Sequence, residues 1–188
     1  MESLEKYIDS YRKSGDRKWF TLIYQEIMPR IYRFYYFKTM DRELSEDLVI
    51  EVFIRVYSNL RKTNLNKRSF MVWIYKIANN LLIDHFRKNT GNTEPLEPVL
   101  NQIKITDEEF FKKNSSLFRK EFSFENMELI AALGRLTGLQ KDVLLLRFVE
   151  DMDYNTIAGI FNKSKGTIRG IIFRAMEILR KEMDGKNG

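Results

Sequence analysis

Two stretches of helical periodicity are separated by a run in which no helix can persist. The run is Asn89-Thr90-Gly91-Asn92-Thr93-Glu94-Pro95, with Pro98 close behind. Such clusters of Gly, Pro and Asn punctuate secondary structure. Before it, residues 1–88 carry apolar side chains at helical spacing, with short breaks at Ser14-Gly15, Pro29 and Thr39-Met40-Asp41. After it, the pattern returns over residues 126–183. Three proline and nine glycine residues are few for a turn-rich β protein. The expectation is an all-α chain of two small helical domains, 1–90 and 126–188, joined by a linker at 91–125. Phe110, Phe111, Leu117, Phe118, Phe122 and Phe124 make the linker too apolar for a plain spacer. It is expected to dock, on the rest of the chain or on a partner.

Composition narrows the function. No cysteine is present, which excludes disulfides, thiolate metal sites and Cys nucleophiles. His85 is the only histidine, so no His pair can work as a dyad. With no phosphate-cradling Gly-rich loop and no metal-ligand cluster, neither an enzyme, a metal site, a cofactor nor a small-molecule substrate is expected. No apolar run approaches the roughly 18 residues of a membrane span. The first residues lack the pattern of a secretory signal, and a cytoplasmic protein is expected. Net charge is +6 with a pI near 9.4, which suits a polyanionic partner. The charge is uneven: +6 over residues 1–88, −2 over 89–125 and +2 over 126–188.

The second domain carries a helix-turn-helix pattern. Asp153 is placed to cap a helix in which Ile157, Ala158 and Phe161 face inward; Asn162-Lys163 form a turn; Ser164 caps a helix from about Lys165 to Met183. Stepping about 100° per residue puts Ile168, Ile172, Ala175 and Leu179 on a buried side. Gly166, Gly170, Phe173, Arg174 and Glu177 fall opposite, with Thr167 and Arg169 on the flanks. A recognition helix offers its N-terminal residues to base edges in the major groove. Lys163, Ser164, Lys165, Thr167, Arg169, Gly170, Phe173 and Arg174 are therefore the candidate duplex contacts, with Gly170 allowing close approach and Phe173 meeting a thymine methyl. By pattern alone, a helical hairpin with a solvated basic face fits as well.

In the first domain, Asp16 is expected to cap the helix of Trp19, Phe20 and Ile23, and Pro29 to sit in the first turn of the next. Ser45-Glu46-Asp47 reads as the start of a further helix, its acids suiting the dipole. Leu48, Val49, Val52, Phe53 and Val56 face inward; Asp47, Ile50, Glu51 and Ile54 face away. An outward stripe mixing acids with isoleucines suits a protein contact, unless Ile50 and Ile54 pack under the helix containing Ile27 to Phe37. The loop Arg61–Arg68 concentrates Arg61, Lys62, Asn64, Lys67 and Arg68. In the helix Ser69–Lys88, Phe70, Ile74, Ile77, Ala78 and Leu81 are assigned to the core, and Lys76, Asn79, Asn80, Ile83 and Arg87 outward. Basic groups track phosphates, while amides and rings such as Trp73 hold unstacked bases, as a surface for a melted strand requires. Trp73 fits packing equally, His85 sits at the core edge, and Asp84 is spaced to pair with Arg87 or Lys88.

Three segments in order resemble the extracytoplasmic-function sigma factors of bacterial RNA polymerase. Ser45–Phe53 looks like the segment that grips the clamp coiled coil of the β′ subunit. Ser69-Phe70, Trp73–Asn80, Asp84 and Arg87 look like the segment that melts and reads the −10 element. Leu144–Phe148, Tyr154, Ile157-Ala158 and Lys165–Arg169 are similar to the domain that reads the −35 element. The resemblance implies core polymerase (β′ clamp and β flap), promoter DNA and an anti-sigma factor as partners. Departures are Ile50 for a frequent Gln, Asn79 for a frequent Arg, and Gly170-Ile171-Ile172 for Ser-Arg-Leu, which removes one basic contact. The rival reading is a stand-alone helix-turn-helix regulator.

Overall fold

The computed structural model describes residues 3–90 and 134–184, so the expected linker and the first residues of the second domain lie outside the described residues. The chain divides into two compact units, the first built mainly on its N-terminal helices and the second mainly on its C-terminal ones. No strand occurs among the described residues, in keeping with an all-α fold.

Helix α1, Leu4–Ser14, buries Leu4, Ile8 and Tyr11, one face of a 3.6-residue period. It ends at Gly15, whose φ of 71° lets its N–H reach the Tyr11 carbonyl. Asp16 then caps α2, Arg17–Thr39, by accepting from the Lys18 N–H at 3.0 Å. That N–H also holds the Asp16 carboxyl below its usual pKa. Pro29 does not open a new helix as expected; it lies inside α2, which runs unbroken for 23 residues. Interior proline costs about 3 kcal/mol. Ile23, Ile27, Ile31, Phe34 and Tyr35 are all fully buried across it, and each such side chain contributes roughly 1.5–3 kcal/mol. The apolar stripe wins.

The α2–α3 corner corrects a second expectation. Helix α3 is Arg42–Asn59, and its cap is Asp41, which accepts from the Leu44 N–H at 3.0 Å. Ser45 lies a turn inside the helix and is fully buried. Its hydroxyl meets Thr39 Oγ1 at 3.0 Å and donates to the Asp41 carbonyl. After α3 a 3-10 turn, Leu60–Lys62, leads to α4, Lys67–Thr90. Asn66 caps α4 by accepting from the Ser69 N–H at 2.8 Å, so Lys67 and Arg68 belong to the first turn and not to the loop.

Phe70, Met71, Ile74, Tyr75, Ala78, Leu81 and Leu82 of α4 are buried, but Ile77 is only half-buried. The buried arc is centred near Ala78, which brings Tyr75 and Leu82 in and leaves Ile77 on its edge. Tyr35 of α2 ties the bundle to α4 by donating to the Ala78 carbonyl at 2.9 Å. Burial pushes the Tyr35 phenol far above its ordinary pKa.

In the second unit, Thr137 and Gln140 form a reciprocal capping box at the start of α5, Gly138–Leu144. The helix widens into a π-helical turn, Leu145–Val149. Helix α6, Tyr154–Phe161, is capped by Asp153, which accepts from Asn155 and Thr156 at 2.8 and 3.1 Å. Ile157 and Ala158 are buried as expected, but Phe161, the last residue of the helix, is half-buried. Asn162, at φ 53°, makes the turn into α7, Lys165–Asp184. Ser164 caps α7 by accepting from the Thr167 N–H at 3.0 Å.

Candidate nucleic-acid interface

Helix α7 sorts its faces as its period dictates. Ile168, Ile172, Ala175 and Leu179 are buried, joined by Ile171 at 6% exposure. Ile171, where the family often has a basic residue, is thus a core side chain in this protein. Lys163, Lys165, Thr167, Arg169, Phe173 and Arg174 are exposed, with Phe173 at 65%. Gly170 is half-buried. Ser164 is exposed but already engaged, since its hydroxyl both caps α7 and meets Thr167 Oγ1 at 2.9 Å. No acid stands in the first turn of α7, so its dipole and Lys165 present a positive end. Sequence reasoning missed Tyr154, whose ring carries the Arg147 and Arg169 guanidinium groups at 5.2 and 5.4 Å.

Helix α4 shows a different arrangement. Lys76, Asn80, Ile83 and Arg87 line one exposed face, while Trp73 and Asn79 lie half-buried on its two flanks. The Trp73 ring centroid is 6.2 Å from that of Phe70. Arg87 pairs with Asp84 at 3.0 Å, as its spacing predicts. Asn79 Oδ1 accepts from Lys38 Nζ of α2 at 3.2 Å, and that ammonium lies 4.8 Å from the Phe34 ring centroid. At the N-terminal end, Arg61, Lys62, Asn64, Lys67 and Arg68 are exposed around a first turn that contains no acid. Asn64 Oδ1 accepts from Arg12 Nη2 of α1 at 3.0 Å. The Arg61 guanidinium crosses Gly15 so closely that a Cβ there would meet it at 2.9 Å. Lys38 and Arg12 were not legible as partners, being 41 and 52 residues away from Asn79 and Asn64.

Helix α3 presents the mixed stripe outward. Leu48, Val49, Val52, Phe53 and Val56 are buried, whereas Ile50 and Ile54 are 55% and 59% exposed. Packing under α2 is therefore excluded for the two isoleucines. Asp47 and Glu51 are exposed beside them, Glu51 accepting from Arg55 at 2.7 Å. Tyr57, also exposed, extends the stripe by one turn. Among the described residues no cluster of metal-ligating side chains occurs, and no helix is long and apolar enough to cross a membrane.

Residues 23–91 match Sigma-70 region 2, and residues 132–181 match Sigma-70, region 4. The chain belongs to the extracytoplasmic-function sigma factors of bacterial RNA polymerase. Its similarity to the ECF RNA polymerase sigma factor SigW of Bacillus subtilis is 28% identity over 187 residues, covering 97% of this chain and 98% of SigW. With BldN of Streptomyces coelicolor, also an ECF RNA polymerase sigma factor, it shares 25% identity over 169 residues, 90% of this chain and 62% of BldN. The fold is also that of the sigma factor RpoE of Bartonella quintana, solved with the anti-sigma factor NepR. The TM-score is 0.64 at 17% identity, over 88% of this chain and 96% of RpoE. As a sigma factor, the protein binds core RNA polymerase and directs promoter-specific transcription initiation. A stand-alone regulator would leave the region 2 match without a role.

Proposed function

We propose that the exposed stripe of α3, formed by Asp47, Ile50, Glu51 and Ile54, grips the clamp coiled coil of the polymerase β′ subunit. The carrying observation is that two isoleucines stay exposed between acids on a helix whose other side fills the core. A purely solvated face has no use for them. In this reading residues 1–90 form the polymerase-binding and −10-melting domain, 91–125 the linker and 126–188 the −35-reading domain.

Helix α7 enters the major groove of the −35 element with Lys163, Lys165, Thr167, Arg169 and Arg174, while its domain also meets the β flap. The face of α4, with Arg61, Lys62, Asn64, Lys67 and Arg68 at its start, takes the opened −10 strand. Melting follows from tighter binding to the separated strand than to the duplex, so the chain needs no catalytic group and makes or breaks no bond. The phenylalanine-bearing linker runs along the polymerase. A cytoplasmic location and an anti-sigma partner belong to the same reading; the Bartonella quintana protein was solved with such a partner bound.

The double charge reversal Asp47→Lys with Glu51→Lys tests the interface. It is expected to lower affinity for core polymerase by more than about a hundredfold, since like charges then meet where opposite ones did. Circular dichroism and thermal midpoint should barely move, because both side chains are exposed. Normal holoenzyme assembly by this variant removes the assignment.

A further inference from the structure

Asn79 occupies the flank of the strand-facing side of α4, half-buried, with its carboxamide oxygen 3.2 Å from Lys38 Nζ. A lysine ammonium has three donors and no acceptor, so only the oxygen of the amide can face it. The ammonium is itself braced, lying 4.8 Å from the centroid of the buried Phe34 ring. An asparagine side chain left to itself can rotate to offer either its oxygen or its NH2. Here that choice is removed by a residue on another helix, 41 positions away.

We propose that Lys38 is a specificity-determining positioning residue, which fixes the polarity of Asn79 so that the amide turns its NH2 donor to the opened strand. This rests on the reading of α4 as the −10 strand surface. The two-pronged recognition of adenine by an asparagine needs the oxygen and the NH2 together. With the oxygen turned to Lys38 and one of its two lone pairs taken, the amide meets the base edge NH2-first, and at the outer position of that edge an NH2 pairs with a carbonyl and not with an amino group. Guanine and thymine offer O6 and O4 at that position; adenine and cytosine place amino donors there and leave a donor only their ring acceptors, such as N7 of adenine. One position of the −10 element should therefore prefer keto over amino bases.

The test uses core polymerase saturated with this chain and a promoter selected by transcription from a random library. Non-template-strand oligonucleotides carrying each of the four bases at each −10 position are bound in competition. The wild type is expected to prefer guanine or thymine at one position by about tenfold. Lys38→Met should shrink that preference to below about threefold at this position alone, because the freed amide accepts either edge. Lys38→Arg, which keeps a cationic donor, should retain it. Asn79→Asp, an acceptor only, should reverse it towards adenine or cytosine.

A Lys38→Met variant that binds every oligonucleotide equally more weakly would show a phosphate contact and overturn the proposal. So would an unchanged preference in Lys38→Met alongside its loss in Asn79→Ala, which would leave the strand reading of α4 standing. If Asn79→Ala alters neither affinity nor preference, the assignment of this flank to the strand falls too.

Discussion

The two surfaces assigned to DNA begin alike and then diverge. Helix α4 starts from a capping Asn66 and helix α7 from a capping Ser164, and neither has an acid in its first turn. Beyond that, two polar groups at α4 are held by other helices, Asn79 by Lys38 of α2 and Asn64, in the preceding loop, by Arg12 of α1, beside the exposed Lys76, Asn80 and Arg87. On α7 the basic candidates Lys163, Lys165, Arg169 and Arg174 stand out into solvent, and among them Arg169 leans on the Tyr154 ring. The difference fits the two targets proposed for them. A duplex arrives with its base edges already ordered, so a projecting ridge is enough. A separated strand has no order of its own, and the protein must supply fixed donors and acceptors for it.

The comparison can be broken most forcefully at Arg169. Arg169→Ala is expected to lose about 1–3 kcal/mol of −35 discrimination, read by holoenzyme binding to duplex variants. Its thermal midpoint should hardly change, since the side chain is exposed. Equal loss of −10 strand binding would mean that the two surfaces are not separable.

Two glycines sharpen the contrast next. Gly15 adopts φ 71° beneath the Arg61 guanidinium, and Gly15→Ala should destabilise the first unit by about 1–2 kcal/mol in denaturant unfolding. An unchanged midpoint would show that the loop is not braced there. Ser164→Ala removes the α7 cap, and about 1 kcal/mol of stability in the second unit should go with it. Gly170 lies in open helix, where an added Cβ would meet only Arg174 Nη2, at 4.0 Å. Gly170→Ala should thus gain up to about 1 kcal/mol of stability while weakening −35 binding, the signature of a glycine kept for close approach. A gain in both would show that the duplex never comes near it.

What could be read without coordinates follows from the range of the forces involved. The faces of α3 and α7 were legible because burial repeats every 3.6 residues, and Asp153 and Ser164 because a cap acts within three residues. Ser45 was misplaced by four positions, since its hydroxyl looks like a cap until Thr39 and Asp41 are brought against it. Pro29 misled for a related reason: its local cost is visible in the sequence, whereas the continuous buried stripe that offsets it depends on the packed bundle. The Lys38–Asn79 and Arg12–Asn64 pairs join side chains on opposite sides of the bundle's sequence, where no periodicity reports them. The added exposure of Tyr57 was within reach, as the next turn of the Ile50–Ile54 stripe.

Promoter-specific initiation through core polymerase is tested most directly by transcription from a random promoter library with purified core enzyme. Added protein should turn on initiation at a defined subset sharing −10 and −35 sequences, while the protein alone shows no comparable preference for that DNA. Transcripts unaltered by its addition, or equally selective promoter binding without core enzyme, would contradict the account.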